Sequence, residues 1–289
     1  MNPLEVRQSK LSNGSQQELE SPTVRIVRPV KRRLTLFGLY RDRSVVRVLA
    51  ARDFKVKYKQ SLLGPLWLVF QPLALLGAFL VAFRGLADVQ LGVSYIPFAL
   101  VGLSVWAFFQ ASMTIGTASV ISNITLIRFT PCPRWAFPVA AIIASLPAYG
   151  VTVIGALTAA AVTGSLSARA LLLPAGLLWL FLLTAGAVAI TSSFSVRYRD
   201  ALSAMPFLLQ VGLFLAPVGY PLDALGDTVR AVVGLNPLTG VIEACRWMIL
   251  AGYKPSFEPI GISLLLTPVV AVYGWRFFSR RETTMADEI

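Results

Sequence analysis

Histidine is absent from this chain of 289 residues, and cysteine occurs only twice, at Cys132 and Cys245. Without histidine, no mechanism can use an imidazole as a general base, a proton relay or a metal ligand. The two cysteines also lack the spacing of a metal-binding pair. These absences exclude several classes of enzyme and predict a chain without a metal site.

Charge is scarce as well, since only 14% of the residues are charged and 56% are hydrophobic. An average soluble domain has about a quarter charged residues, so this composition is typical of a membrane protein. The formal net charge of +12 is a property of many nucleic-acid-binding proteins. Here, however, the basic residues stand at the ends of apolar runs, which predicts membrane lipids as partners and no nucleic acid.

Catalytic motifs are missing. The sequence contains no Gly-x-x-x-x-Gly-Lys-Ser/Thr phosphate loop and no Gly-x-Ser-x-Gly elbow. Its long apolar runs hold no Asp, Glu, Lys or Arg, which a proton-coupled transporter would need. The sequence therefore predicts no catalytic residue and no cofactor in this chain, and energy for any transport would come from a partner subunit.

Long uncharged runs are the dominant feature that is present. The first, from Ser61 to Phe83, has 23 residues. At about 1.5 Å per residue it is roughly 34 Å long, enough to cross a hydrocarbon core of about 30 Å. We expect an all-α membrane protein with six transmembrane helices, at about 61–83, 95–120, 135–163, 170–194, 204–220 and 259–275.

Lysine and arginine are distributed unevenly between the segments that connect these runs. Of the 26 basic residues, 21 lie in segments on the same side as the N-terminus and 5 lie on the other side. Because positive residues are retained in the cytoplasm, this predicts that both termini are cytoplasmic. The two cysteines then lie at different depths or sides of the membrane, so no disulfide is expected.

The N-terminal region precedes the first span and has two parts. Residues 1–40 are largely polar and are predicted to be disordered, with no sign of a secretory signal peptide. Residues 41–60 mix basic and apolar side chains, and each basic residue near an anionic leaflet contributes about 1 kcal/mol. We predict an amphipathic helix on the cytoplasmic surface, whereas a simple topological anchor is the alternative.

The segment between the fifth and sixth spans is too polar to cross a membrane. Asn236 followed by Pro237 predicts a helix start, and Gly252 predicts its end. Glu243 and Arg246 lie three residues apart, at the spacing of a salt bridge. We predict a helix that re-enters the outer half of the membrane within region 221–252, with an amphipathic surface helix as the alternative. Its predicted apolar stripe comprises Leu238, Val241, Ile242, Cys245 and Ile249.

The loop SNITLIRFTPCPRW, residues 122–135, connects the second and third spans. Its apolar residues Leu126, Ile127 and Phe129 surround Arg128, a pattern compatible with a short helix that docks on a soluble partner. A turn at the membrane surface explains the same pattern equally well. Aromatic residues in the spans are likewise either lipid-facing or part of a path for sugars.

Five groups of residues resemble, in this order, the permease subunits of type-2 ABC exporters for polysaccharides such as O-antigen or teichoic acid. The resemblance covers about residues 40–289. The groups are Arg52-Asp53 with Lys57-Tyr58-Lys59-Gln60, Leu63-Gly64-Pro65-Leu66-Trp67 and Gln71-Pro72; Asn123 to Arg128 with Pro133-Arg134; Val196 to Asp200; Ala216-Pro217-Val218 with Tyr220-Pro221; and Asn236-Pro237-Leu238-Thr239 to Trp247.

This resemblance implies a homodimeric channel in the bacterial inner membrane, combined with two copies of a separate ABC ATPase that binds ATP and Mg²⁺. The implied substrate is a lipid-linked polysaccharide. The resemblance also implies a helix that couples the chain to the ATPase and a cytoplasmic gate helix. The coupling residues would be Asn123, Leu126, Ile127 and Arg128. The gate residues would be Arg52, Lys55, Lys57, Tyr58 and Lys59.

Two further groups follow from the same resemblance. The polymer path would be lined by Trp67, Phe70, Phe207, Phe214 and Tyr220. The periplasmic gate would contain Asn236, Pro237, Glu243, Arg246 and Trp247. Two alternative functions stay open on the sequence: an ABC-2 exporter of a lipid or drug, and a membrane-embedded transferase that would use Asp53, Asp200 or Asp223 as its carboxylate.

Overall fold

The computed structural model describes residues 40–59, 61–82, 92–130 and 132–282, which form α-helices and short 3₁₀ turns but no strand. This confirms the predicted all-α class. The predicted disordered region, residues 1–40, lies almost entirely outside the described residues. The helices are α1 (Arg43–Tyr58), α2 (Trp67–Ala82), α3 (Tyr95–Ala118), α4 (Ile124–Phe129), α5 (Ala136–Ala144), α6 (Leu146–Val162), α7 (Leu173–Arg197), α8 (Asp200–Phe214), α9 (Asp227–Gly234), α10 (Pro237–Ile249) and α11 (Phe257–Arg281).

Among the described residues, five helical segments are long and apolar enough to cross a membrane, so the chain is a multi-pass membrane protein. They lie close to the first four predicted spans and to the last one. They are Gly64–Ala82, Tyr95–Ala118, Ala136–Val162, Ala168–Arg197 and Phe257–Arg281. The final helix begins two residues before the predicted span and ends six residues after it.

The predicted fifth span, 204–220, differs most from the structure. Helix α8 begins earlier, at Asp200, and ends at Phe214, where residues 215–220 turn away from the helix axis. Fifteen helical residues give a length of about 22 Å, which is short of a full hydrocarbon core. The helix therefore ends before the predicted end of the span at residue 220, and Ala216 and Val218 after it are buried within the protein.

The third span is two helices rather than one. Helix α5 ends at Ala144, Ser145 forms a turn, and α6 begins at Leu146 with Pro147 in its first turn. A proline at this position lacks the N–H that a continuous helix would need, and its ring favours a new helix start. The hydroxyl of Ser145 instead donates to the carbonyl oxygen of Ala141 at 3.1 Å.

Helix α3 occupies the centre of the structure. It packs against α2, α5, α6, α7, α8 and α10. In an apolar stretch of 18 residues of α3, 72% is buried inside the protein, compared with 11% for such a stretch of Gly64–Ala82. One core helix therefore supports several peripheral ones, and α2 leaves most of its surface free for lipid or for another subunit.

Small residues allow helices α7 and α11 to approach each other closely. A Cβ at Gly274 would collide with the backbone of Gly186, so only glycine fits at this crossing. Nearby, the indole nitrogen of Trp179 donates to the hydroxyl of Thr267 at 2.8 Å. Close backbone contact at small residues and interhelical hydrogen bonds are typical of packing in membranes.

Helix α1 packs on the end of the bundle where α5 begins. Its buried residues Val46, Leu49 and Ala50 recur at helical spacing, so one face of α1 is apolar and packs within the protein. Its predicted place on the cytoplasmic membrane surface stays a prediction. They form a second apolar cluster, separate from the core around α3, with Trp135 and Phe278 among its other members. The surface against which the apolar face of α1 packs therefore belongs to this chain.

Candidate functional site

Arg246 lies on α10 and has no solvent-exposed surface. Its Nη1 donates to Glu243 Oε1 at 3.1 Å, which confirms the predicted pair one turn apart on the same helix. Its Nη2 donates to the carbonyl oxygens of Pro217 and Val218 at 2.6 and 2.9 Å. Burial of a guanidinium is tolerated only when its charge is paired and its donors are satisfied, and both conditions are met here.

The guanidinium group of Arg246 packs against helix α3. The Cζ atom of Arg246 lies 3.5 Å from the ring centroid of Phe98, a cation–π distance, and its Nε donates to the Phe98 carbonyl at 3.4 Å. One turn later, a Cβ at Gly102 would collide with the Val218 carbonyl and crowd the guanidinium. The close approach of three elements at this point therefore requires glycine at residue 102.

Glu243 is the second half of the buried pair, and it holds the loop before α11. The hydroxyl of Tyr253 lies 2.9 Å from both carboxylate oxygens, and the backbone N–H of Ser256 donates to Oε2 at 3.2 Å. Burial raises the pKa of Tyr253 above its ordinary value, so the hydroxyl stays protonated and continues to donate. The ion pair thus connects α10 to the chain segments on both sides of it.

The segment after α8 is held by side chains from other elements. The hydroxyl of Tyr95 donates to the Gly219 carbonyl at 2.7 Å, and the side-chain amide of Asn236 donates to the Leu215 carbonyl at 3.2 Å. Carbonyls at the end of a helix lose their intrahelical partners and need others when they are buried. Together with Arg246, these donors fix a backbone path that is not itself helical.

The predicted helix start at Asn236 and Pro237 is confirmed. The Asn236 side chain accepts a hydrogen bond from the Leu238 N–H at 3.0 Å, and Pro237 occupies the first helical position. Helix α10 ends at Ile249, and Gly252 follows with φ of +82°. The predicted apolar stripe is buried, as are Glu243 and Arg246, because α10 is enclosed by α3, α7 and α11 rather than lying with one face in water.

Trp247 lies beside the same site, beneath Arg169. The Cζ atom of Arg169 is 4.5 Å from the Trp247 ring, and its Nη2 donates to the Leu250 carbonyl at 3.3 Å. The backbones of Leu250 and Leu166 also pair with each other in a single antiparallel β-bridge. The connection between α6 and α7 therefore covers the end of α10.

The predicted coupling loop forms a 3₁₀ turn, Ile121–Asn123, followed by α4. Leu126 and Phe129 are exposed, and Ile127 packs partly on the second cluster. Asn123, in contrast, is buried and donates to the Ser119 carbonyl at 2.7 Å, so it supports the helix and does not face outward. The side chain of Arg128 lies outside the described residues.

The predicted gate residues lie in the second half of α1, except Lys59, which directly follows it. Arg52 is paired with Asp53 at 2.7 Å, and Lys55 and Lys59 are exposed. Lys57 keeps some exposed surface, but partial burial lowers the pKa of its ammonium group. The side chain of Tyr58 lies outside the described residues.

The predicted path residues lie on or just after α2 and α8, which both pack on α3. Trp67 and Phe70 are exposed and meet edge to face, with ring centroids 5.4 Å apart. Phe207 and Phe214 are exposed on α8, whereas the hydroxyl of Tyr220 donates back to the Phe214 carbonyl at 2.7 Å. A cavity of 360 Å³ lies between α2, α3 and α6, and it is lined in part by Lys57, Trp67, Gln71, Trp106 and Gln110.

Sequence reasoning missed three residues of the buried network: Tyr253, Phe98 and Gly102. For Tyr253 the sequence offers only the residue type, since a phenol is a suitable donor to a carboxylate. The roles of Phe98 and Gly102 depend on how α3 crosses α10, which no local pattern reveals.

Other chemistry is not assembled in the described parts of the chain. No three acidic or cysteine side chains come together there as a metal site. The two cysteines are not bonded to each other, with Cys245 buried and Cys132 half-buried. Of the carboxylates considered for a transferase, Asp53 is paired with Arg52, and Asp223 lies 2.9 Å from Arg230.

Known proteins resemble the chain over most of its length. The O-antigen export system permease protein RfbA of Klebsiella pneumoniae is 25% identical over 247 residues, covering 83% of this chain and 93% of that protein. The protein of the same name from Myxococcus xanthus is 27% identical, with coverages of 84% and 95%. The polysialic acid transport protein KpsM of Escherichia coli is 22% identical, with coverages of 86% and 97%.

A family comparison gives the broader classification. Residues 44–250 match the family described as ABC-2 type transporter. This range begins in α1 and ends just after α10, so it includes the Glu243–Arg246 pair, the loop of residues 122–135 and helices α2 and α8, whereas Tyr253 lies after it. The match extends over more than half of the chain, and the protein therefore belongs to the ABC-2 type transporter family.

Proposed function

We propose that this chain is the membrane subunit of an ATP-driven exporter that moves a lipid-linked polysaccharide outward across the bacterial inner membrane. Two copies of the chain form the channel, and two copies of a separate ABC ATPase bind ATP and Mg²⁺. The observation that carries the proposal is the likeness to O-antigen export permeases over 83% of this chain and 93% of the relative.

The proposed membrane arrangement has six spans, with α8 as the fifth and both termini in the cytoplasm. The placement of 21 of 26 basic residues on the side of the N-terminus supports this orientation. Helices α9 and α10 form the re-entrant region at the outer side. The enclosure of α10 by other helices supports re-entry, because ionised side chains and irregular backbone at membrane depth need protein partners.

The polymer path is proposed to run along α2 and α8, where Trp67, Phe70, Phe207 and Phe214 remain exposed in the single chain. Pairing of two chains through this side would enclose the aromatic residues. Flat aromatic faces contact the C–H groups of sugars without the directional hydrogen bonds that would hold a moving polymer in place. This chain then provides a path for the polymer, while bond chemistry takes place in the ATPase.

Energy is proposed to enter through α4 and to act on α1. The exposed side chains Leu126 and Phe129 form the face of α4 that docks on the ATPase. Ile127 of the same helix and Val46 of α1 contribute to one apolar cluster. Movement of α4 would therefore reach the gate helix through this shared cluster. At the outer side, the buried ion pair holds the α9 and α10 gate in its closed arrangement.

The first experiment is purification of the chain from its native membrane in mild detergent, followed by protein identification and stoichiometry by mass spectrometry. We expect an ABC ATPase in equal copy number. Recovery of this chain alone, under conditions that keep other complexes intact, would contradict the proposed partner. Cells that lack the chain should accumulate polysaccharide internally, and an unchanged amount at the surface would contradict the proposed substrate.

A further inference from the structure

A groove of 530 Å³ separates the first half of α1 from the third and fourth spans. Apart from two arginines, every side chain that lines it is a hydrocarbon. The wall opposite α1 is formed by Val139 and Ile143, which lie one turn apart on α5, and by Pro147 in the first turn of α6. From Val139 to Pro147 the groove follows the span for about 12 Å, most of the depth of one leaflet.

The two arginines, Arg43 and Arg47, stand one turn apart on α1 and line the same groove. Both are exposed, so they lie at its rim and not on its floor. Neither forms an ion pair with another residue in the described ranges, although Arg43 stacks over the ring of Tyr40 at 4.3 Å. Two guanidinium groups at one turn's spacing offer paired donors of the kind that bind a phosphate group.

We propose that this groove is a binding site for one anionic phospholipid, whose phosphate lies between Arg43 and Arg47 and whose acyl chain lies along Val139, Ile143 and Pro147. The occupant follows from the chemistry of the two regions. A hydrocarbon floor binds an acyl chain and gives a sugar no hydrogen-bond partner, while a cationic rim selects a negative headgroup. The proposal does not depend on polysaccharide export, since it concerns the purified chain and a lipid.

The groove also gives the lipid a structural role. One wall is α1, which contacts the rest of the chain mainly through α5. A lipid between α1 and Phe181 of α7 adds a further contact for this helix and fills the space beside Ala50 and Ala51. Anionic lipid is therefore expected to hold α1 against the bundle.

The test is a titration of the detergent-purified chain, followed by native mass spectrometry, with phosphatidylglycerol and phosphatidylcholine of identical acyl chains. The first variant, Arg43→Gln with Arg47→Gln, removes the rim charges. Its control, Lys55→Gln with Lys59→Gln, removes the same charge from exposed positions of α1 that do not line the groove. A second variant, Ala51→Phe, fills the groove from an exposed position and keeps both arginines.

We expect phosphatidylglycerol to bind more tightly than phosphatidylcholine, and the double arginine variant to weaken it about thirtyfold, at roughly fivefold per charge. The lysine control should change binding less than threefold, and Ala51→Phe should weaken both lipids. Equal binding of the two lipids, equal losses in the two double variants, or unchanged binding in Ala51→Phe would overturn the proposal. Selective binding of a polyisoprenyl phosphate in place of phosphatidylglycerol would also overturn it, because the occupant would then be the carrier of the substrate.

Discussion

The two ends of helix α3 differ in how many of the side chains near them have partners within this chain. At the Tyr95 end, Arg246 and Glu243 are buried and bonded to backbone and side-chain groups from four segments. At the Ala118 end, α4 leaves Leu126 and Phe129 exposed, and α1 carries exposed lysines. One end is closed by contacts within the chain, whereas the other leaves apolar and cationic groups exposed.

This difference separates two kinds of functional residue. Polar groups that are buried and mutually bonded are expensive to disturb, because a lost partner leaves an uncompensated charge or carbonyl behind. Exposed apolar groups on a short helix cost the isolated chain little, and their contribution appears only on binding. Substitutions at the first end should therefore affect folding, and those at the second end should affect assembly.

The largest effect is expected from Arg246→Ala at the closed end. It leaves the Glu243 carboxylate without its cationic partner and the Pro217 and Val218 carbonyls without their donor, at a cost of about 3–5 kcal/mol. Thermal unfolding and the recovery of monodisperse protein in detergent measure this loss. The control is Arg230→Ala, since Arg230 pairs with Asp223 at an exposed position and should contribute less than about 1 kcal/mol.

Exchanging the charges of Glu243 and Arg246 tests whether the carbonyl contacts contribute to stability in addition to the ion pair. The double variant Glu243→Arg with Arg246→Glu keeps the pair but points a carboxylate at two carbonyl oxygens. It is therefore expected to be no more stable than Arg246→Ala. Recovery of wild-type stability would show that the ion pair matters alone and that the carbonyl contacts do not.

A smaller effect is expected from Tyr253→Phe, which removes only the hydroxyl that donates to Glu243. A buried carboxylate that loses one donor should lower the free energy of unfolding by about 1–3 kcal/mol. Tyr273→Phe is the matched control, because Tyr273 is exposed on α11 and its change should be close to zero. Equal shifts in unfolding temperature for the two variants would contradict a special role for Tyr253.

At the open end, Leu126→Ser with Phe129→Ser should leave folding unchanged and weaken the association with the ATPase at least about tenfold. Quantitative co-purification gives the ratio of the two subunits. Val162→Ser is a suitable control, since Val162 is 88% exposed at the other end of the bundle. A normal subunit ratio in the double variant would remove α4 from the proposed interface.

The smallest effect on folding is expected along the aromatic helix α2. Phe70→Ala should slow export about two- to tenfold while the amount of protein in the membrane stays the same, because the ring is exposed in the single chain. Surface polysaccharide measured at matched expression is the readout. Val69→Ala, on a neighbouring face, should have no effect on export, and equal losses for both variants would favour contact with lipid.

Much of the architecture could be predicted from local patterns. Uncharged runs located the long helices, Asn236 and Pro237 gave the start of α10, and the spacing of Glu243 and Arg246 gave their ion pair. These features depend on neighbouring residues and on helical periodicity alone. For residues 122–135 the local pattern left a short helix and a surface turn open, and the structure has a short helix, Ile124–Phe129. Its role in coupling stays a prediction.

Features that depend on distant contacts could not be predicted. Helix α8 can end at Phe214 because Arg246 and Tyr95 donate hydrogen bonds to the backbone carbonyls of residues 217–219, which would otherwise lack partners in the interior. Nothing in the uncharged run through residue 220 indicates this. Asn123 likewise reads as a surface residue of the loop, yet burial and its bond to Ser119 give it a supporting role.

The break at Ser145 divides the third span at the boundary between two apolar clusters. Most buried residues of α5 belong to the cluster around α1, while those of α6 belong to the core around α3. The span is therefore not one rigid helix, because a small rotation at Ser145 displaces one of the two segments without tilting the other. Under the proposed coupling at α4, a displacement of α5 would leave the larger part of the bundle aligned in the bilayer.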